Sequence, residues 1–534
     1  MLMRWIKEIF TSQKQGETLH KRKQHSQSLN ISLEDKLNHI IKAFEYSPDF
    51  VVREFPMLEE KGTALAVCYM EGLTDSTLLV ELMDNIIQWM NTNPLPGDQP
   101  RDVLVKRVLP SGNIRNIDSP HLIYEALLTG HVVILVDGIK NVQAVPIAGG
   151  ARRSVEEPTS QTVVRGPKEG FTEEITTNIA LVRRKIRTPD LKFKMHTIGE
   201  YTQTVVALVY IQGIAKPQVI EEVTRRLNAI NTDSILESGY IEEFIQDAPL
   251  TPFPTMINTE RPDTVAGSLL DGQVAIMVDG TPFALIAPVT FFNFFQTPED
   301  YYQRYDISTF LRIIRLICFL ISLLLPSTFI ALTTFQQEMI PTTLLVTLAA
   351  QREGVPFPAL LEALLMEITF EVIREAGVRM PRAIGPAISI VGALVIGQAA
   401  VEAGLVSGAM VIVVSFTAIA NFVIPYFSMA TAVRLLRFPF MVLAGTLGLY
   451  GILAGAVPLL AHLVSLKSFG VDYLMPYSPF FKSNMKDLWL RVPWWAMKTR
   501  PDEKSNTNKT RQAPHQYPAG SDNIVDRIND AENE

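Results

Sequence analysis

In the stretch PALLEALLMEITFEVIREAG, Glu367, Glu371 and Glu375 recur at every fourth residue. That spacing puts three carboxylates on one face of a helix. Leu361, Leu364, Leu365, Ile368, Phe370 and Val372 occupy much of the remainder, so the helix expected over 359–376 is amphipathic. Two uses of such a row are open. The acids can rest in water while the apolar side lies on a membrane interface. Alternatively they line a path for cations, since carboxylates within a membrane usually face a polar cavity. Pro356 and Pro358 precede the segment and Gly377 and Pro381 follow it, which marks both ends. Asn421, in NFVIPYF, poses the same question, because a primary amide in lipid needs a partner. With Pro425 it forms either a kink satisfied by neighbouring helices or an ion-coordinating break.

The surroundings of these residues are apolar. Charges vanish over 316–337, 383–401, 403–433 and 438–466. A bilayer core of roughly 30 Å needs about 20 apolar residues of helix. Four such windows within 150 residues point to an integral membrane domain over 301–490, with spans expected at about 316–337, 383–401, 405–428 and 438–466. Pro326 interrupts the first window and frees a backbone carbonyl. Gly404 with Gly408, and Gly451 with Gly455, have the spacing that lets helices approach closely. Arg304, Arg312 and Arg315 precede the first span, and Lys467, Lys482 and Lys486 follow the last, which favours a cytoplasmic N-terminal domain. Arg434 and Arg437 then fall on the wrong side, and the side of the C-terminus stays open.

The N-terminal half is written twice. LLTGHVVILVDG from Leu127 and LLDGQVAIMVDG from Leu269 agree at eight of twelve positions. Each reads as a strand, an Asp-Gly turn (Asp137-Gly138, Asp279-Gly280) and a returning strand. A tight primed turn needs positive φ at both central residues, which Asp-Gly supplies. Upstream, Tyr69 and Gly72 match Tyr210 and Gly213, each ending an apolar strand that leads into an amphipathic helix. Two tandem related α/β subdomains are therefore expected, 31–150 and 151–300 (the second including a linker), followed by an all-α transmembrane bundle. The pair either encloses a ligand cleft or packs rigidly as a platform. The linker holds VVRGPKEGFTEEI, whose glycines lack phosphate-loop register.

Net charge is −7 over 534 residues, which leaves no nucleic-acid footprint. Mean hydropathy is +0.17. Cys68 and Cys318 lie in different halves, so no disulfide is expected, and no Cys/His cluster has zinc spacing. No acid/base pair, nucleophile or cofactor motif stands out, so an enzyme is the least favoured class. MLMRWIKEIF is no signal peptide. Residues 1–30 read as a basic disordered arm or a patch for anionic headgroups, and 491–534 as a disordered polar tail.

RGPKEGFTE from Arg165, ERPDTVAGSLLDGQVAIMVDGTPFALIAP from Glu260, TPEDYYQR from Thr297 and MPRAIGPAISIVGALVIGQAAVEAGLVS from Met380 together resemble the A subunit of GerA-type spore-germination receptors. The motif residues are Arg165, Gly166, Pro167, Glu169, Gly170 and Phe171. The resemblance covers roughly residues 35–490. It implies a subunit in the inner membrane of bacterial spores, partnered by a transporter-like B subunit and a lipoprotein C subunit. It further implies nutrient sensing by the complex, self-association, and a nutrient-gated path for monovalent cations, without catalytic residues or cofactor. A solute transporter with a soluble regulatory domain, and a subunit that binds the nutrient itself, remain alternatives.

Overall fold

The computed structural model describes residues 32–56, 63–92, 114–149, 158, 161–379, 397–501, 508–513 and 516. The basic arm lies outside them, and of the window at 383–401 only 397–401 falls within them.

The first subdomain runs α1 (Leu33–Ala43), β1 (Phe50–Pro56), β2 (Thr63–Met70), α2 (Ser76–Thr92), β3 (Arg115–Ile117), α3 (Pro120–Leu128), β4 (His131–Val136) and β5 (Val142–Pro146). The second repeats it as α4 (Ile175–Lys185), β6 (Leu191–Ile198), β7 (Thr204–Ile211), α5 (Pro217–Asn228), α6 (Ser238–Ile245), β8 (Ile257–Thr259), α7 (Pro262–Asp271), β9 (Val274–Val278) and β10 (Ala284–Ala287). Each half is a five-stranded antiparallel sheet, with order β1-β2-β4-β5-β3 and β6-β7-β9-β10-β8. Helices cover both faces. In the first half, α1 and α3 pack on one side and α2 on the other. In the second, α4 and α7 take one side and α5 and α6 the other. Covering both faces explains why β9 and most of β4 are buried at consecutive positions rather than alternating ones.

The Asp-Gly loops depart from the expected primed turns. Each loop is five residues long, over 137–141 and 279–283, and of its Asp-Gly pair only the glycine has positive φ, +72° at Gly138 and +89° at Gly280. The aspartates have a second task. Asp137 Oδ1 accepts the backbone N–H of Leu33 at 3.0 Å, and Asp279 Oδ1 accepts that of Ile175 at 3.1 Å. Each carboxylate thus satisfies an orphan donor at the start of its own subdomain's first helix.

The halves are clasped together. Arg183, on α4, is fully buried and donates through Nε and Nη2 to both oxygens of Asp49, each at 2.9 Å. Its Nη1 reaches the Leu191 carbonyl at 3.0 Å, and its guanidinium lies 4.8 Å from the centre of the Phe193 ring. Lys192 donates to the Ala43 carbonyl at 2.8 Å, and Phe193 N–H to Tyr46 O at 2.8 Å. A buried bidentate pair crossing the boundary favours a rigid platform over an open cleft.

The remainder is a helical bundle of α8 (Tyr305–Thr334), α9 (Thr342–Arg352), α10 (Ala359–Arg379), α11 (Gly408–Phe422), α12 (Phe427–Leu447) and α13 (Leu449–Ser465). Of these, α8 and α12 are long and apolar enough to cross a membrane. Helix α8 leaves the sheet domain and ends where Gln336 Oε1 accepts the N–H of Leu449 at 3.2 Å, at the α12–α13 turn. Helix α10 runs antiparallel to α12 along most of its length, with Leu360 against Gly445 and Arg374 against Phe427. Helix α13 returns to the sheet domain, where Thr251 Oγ1 lies 2.8 Å from His462 Nε2. The core on the α4/α7 face continues into the bundle.

The charge-free windows misplace the helices. The span expected at 405–428 contains the turn at 423–426, and that at 438–466 contains the reversal at Gly448. Helix α8 begins eleven residues before its window at 316 and runs through Pro326 unbroken. The cause is that Arg434 and Arg437 sit inside α12, paired within the bundle, so charge does not mark a helix end here. Gly451 and Gly455 do serve packing, since a Cβ on Gly451 would collide with the Leu443 carbonyl and one on Gly455 would sit 2.9 Å from the Leu443 side chain. The polar tail is not structureless throughout. Arg500 Nε donates to Leu270 O at 2.9 Å, and Arg511 pairs with Asp271.

Candidate functional site

Two polar constellations stand out, one where the sheet domain meets the bundle and one inside the bundle.

At the junction, segments far apart in sequence converge. Arg261 is buried and holds Asp263 through Nε at 3.0 Å and Nη2 at 2.7 Å. Its remaining donors reach the carbonyls of Pro167 at 2.9 Å and Gln161 at 3.1 Å. Tyr302 donates its hydroxyl to Asp263 at 2.8 Å, and burial together with that carboxylate pushes the phenol well above its usual range. Gly166 has φ +139°, and a Cβ there would lie 2.6 Å from the Tyr302 ring, so glycine is required by both conformation and space. Arg165 N–H donates to Glu299 at 3.3 Å, Glu169 pairs with Lys185 at 3.2 Å, and buried Phe171 donates its N–H to Glu260 O at 2.7 Å beside buried Gly170. The RGPKEGF, ERPD and TPEDYY motifs are therefore one contact.

The start of α8 is fixed by the same region. Buried Asp300 accepts from Arg312 at 2.9 Å and from Arg315 at 2.8 Å, while Arg312 also reaches Asp487 at 2.8 Å. Arg312 and Arg315, read from sequence with Arg304 as flanking charges, thus bolt the turn that holds Asp300, α8 and the C-terminal segment together. The FFNFF turn at Phe291–Phe295 adds an aromatic plug, with Phe291 and Phe295 edge-on to Phe319 of α8 at 5.6 Å and 5.3 Å.

Inside the bundle the acid row on α10 meets arginines of α12. Glu367 is fully buried and pairs with Arg437 at 2.5 Å, and Glu371 pairs with Arg434 at 2.6 Å. Glu375 lies at the exposed end, 2.6 Å from Arg379 of its own helix. The antiparallel packing explains the match: glutamates four apart on one helix face arginines three apart on the other. Arg437 also donates through Nε to Ser322 O at 2.8 Å and through Nη2 to Ser322 Oγ at 3.0 Å. Ser322 lies four residues before Pro326, which has no N–H, so its carbonyl is the one freed from the α8 ladder. Asn421 donates to Ser322 Oγ and to Ala430 O, both at 3.1 Å. The amide is therefore satisfied by neighbouring helices, and the break at Pro425 is the α11–α12 turn. Glu367 and Glu371 each place one oxygen on an arginine. The other oxygen, Oε1 in both, is buried without a hydrogen-bond partner among the described residues.

Sequence reasoning brought forward Glu367, Glu371, Glu375 and Asn421 but missed Arg437, Arg434 and Ser322 as their partners. The signal was present in two arginines that violated the charge rule for orientation. It also missed buried Glu362, which accepts from Ser407 N–H and Oγ at 3.0 Å and from Arg352 at 3.3 Å. Among the described residues no group of three or more His, Cys, Asp or Glu could hold a metal ion. Cys68 is buried and its thiol pushed by burial up to about 12, so it offers no thiolate nucleophile.

Comparison with known proteins gives the family. The family model described as Bacillus/Clostridium GerA spore germination protein matches residues 38–503. Spore germination protein KA of Bacillus subtilis is 48% identical over 491 residues, 92% of this chain and 90% of that protein. The uncharacterized membrane protein YfkQ of the same organism is 41% identical over 497 residues, 93% of this chain and 96% of that one. The crystal structure of the N-terminal domain of the A subunit of the Bacillus megaterium spore germinant receptor GerK3 is 39% identical, covering 49% of this chain and 97% of that domain, with TM-score 0.40. The chain belongs to the Bacillus/Clostridium GerA spore germination protein family, as the membrane A subunit of a spore germination receptor.

Proposed function

We propose that this A subunit crosses the inner membrane of the spore several times, with its sheet domain on the cytoplasmic side. It assembles there with B and C subunits of the same receptor. Copies associate to form or gate a path for monovalent cations that opens when the complex senses a nutrient. The observation that carries this reading is the pair of unsatisfied carboxylate oxygens, Glu367 Oε1 and Glu371 Oε1, one helical turn apart in an apolar bundle. Their arginine partners neutralise the row at rest, as a shut path requires. The outer face of α10 supports self-association, because Leu361, Leu365, Ile368 and Val372 are exposed there at helical spacing. The test is potassium release from nutrient-treated spores carrying Glu371→Gln at matched protein level. Slowed release is expected, and release at the wild-type rate removes this acid from the path.

A second reading, direct nutrient binding by this chain, is favoured by one feature. A cavity of about 220 Å³ at the junction is lined by Asp263, Thr264, Tyr301, Tyr302, Tyr426 and Trp494. Calorimetry of the full chain with amino acids, sugars and nucleosides decides it, and heats no larger than dilution would reject it.

A further inference from the structure

The arginines of the bundle are matched almost one by one. Arg312 and Arg315 face Asp300, Arg352 faces Glu362, Arg379 faces Glu375, Arg434 faces Glu371 and Arg437 faces Glu367. Arg374 has no carboxylate partner among the described residues, and the acid one turn before it, Glu371, is already held by Arg434 at 2.6 Å. Among the described residues of this stretch four arginines (374, 379, 434, 437) meet three glutamates (367, 371, 375), which leaves one of those positive charges without a counter-charge. The half-buried Arg374 guanidinium lies instead 5.9 Å and 5.5 Å from the ring centres of Phe422 and Phe427.

It lines a groove of about 680 Å³ with a consistent gradient of character. One wall, from Ile373 and Phe427, is apolar and belongs to the bundle. The rest of the rim is Gln161, Asn258 and Phe283 of the second subdomain, so the guanidinium sits where the bundle meets the water-exposed domain. Val378, Phe422 and Phe427 are all more than two-thirds exposed, as side chains facing hydrocarbon are. A guanidinium with unmet donors at such a level suits a phosphate, which its planar fork can bind through two parallel hydrogen bonds. A free phosphate would neutralise the charge but leave the aromatic wall uncovered. An anion that carries hydrocarbon satisfies both.

We propose that this groove holds an anionic phospholipid, with Arg374 donating to the phosphodiester and an acyl chain lying over Phe422 and Phe427. The site depends only on the chain being a membrane protein and stands whether or not the acid row conducts. The test is native mass spectrometry of the full-length chain, purified in detergent and titrated with dioleoylphosphatidylglycerol, dioleoylglycerol or inorganic phosphate. Wild type is expected to retain phosphatidylglycerol in preference to dioleoylglycerol, and Arg374→Gln to weaken that adduct at least about tenfold. Arg379→Gln, which removes an exposed and already paired charge, is expected to bind as wild type does. Arg374→Gln should keep the elution volume and melting temperature of the parent. Equal uptake of the two lipids by wild type would overturn the proposal without reference to any variant. Full displacement of the lipid by millimolar inorganic phosphate would reassign the site to a free anion. A lipid-free dimer that separates on Val378→Asp would give the groove to a second copy.

Discussion

Replacing Glu367 with glutamine removes one charge from a pair whose side chains are at most 2% exposed. Arg437 keeps its bonds to Ser322 O and Ser322 Oγ but loses its counter-charge. Leaving one member of a buried pair uncompensated costs about 3–5 kcal/mol, a large share of a stability that is typically about 5–15 kcal/mol. The double change Glu367→Leu with Arg437→Met removes both charges and avoids that penalty. It does not return to wild type, because the Ser322 carbonyl freed by Pro326 loses its donor, a loss of about 1–3 kcal/mol. Adding Pro326→Ala restores an N–H four residues on and recovers much of the remainder. The assay is thermal unfolding of the full chain in detergent, with the level of each variant in spore membranes as a second readout. If Glu367→Gln melts within about 0.5 kcal/mol of wild type, or if the double change is worse than the single one, the pair is not structural. The account of Pro326 and Arg437 then fails.

Three other outcomes follow from contacts outside the bundle. Arg183→Met leaves Asp49 buried and unpaired between the subdomains, and should lower stability by about 3 kcal/mol or more and speed proteolysis at their boundary; unchanged digestion would mean the halves do not depend on the clasp. Asp137→Ala and Asp279→Ala should each cost about 1 kcal/mol in unfolding experiments, with the asparagine variants milder, because both aspartates cap a helix; neutral alanines would reduce them to loop residues. Burial, then Glu237 and Glu243, pushes Glu242 up to about 7 from 4.5. The folded chain therefore holds this proton more tightly than the unfolded one, so stability should fall as pH rises from about 4.5 to 7, by at most about 3 kcal/mol. Glu242→Gln should flatten that slope in melting curves, and an unchanged slope would clear the residue.

The duplicated sheets were legible because repetition survives in local pattern. The same apolar strand, the same Asp-Gly and the same helix recur about 142 residues apart, so one half interprets the other. What the pattern hid is contact over long distance. The primed-turn reading of Asp137 and Asp279 is locally sensible, yet each carboxylate answers to a helix start 104 residues away. The clasp of Arg183 on Asp49 spans 134 residues. In the bundle the hydropathy windows took charge as a sign of water. That rule fails when an acid on α10 and an arginine on α12 neutralise each other, and it drew two spans across turns. In the sequence the arginines at 434 and 437 stand out only as an inconsistency in orientation. Read with the acids at 367 and 371, they are the partners of the row.

The claim on which the functional account rests is that arginines on α12 hold the acid row of α10 shut. Arg434 is the accessible rung, since its pair with Glu371 is only partly buried. Potassium retained by dormant spores, measured without nutrient, tests this most directly. The account predicts that Arg434→Gln spores leak potassium unprompted, and that Glu371→Gln in the same chain suppresses the leak and slows the nutrient response. Arg434→Gln spores that keep their potassium and still respond normally to nutrient would contradict it.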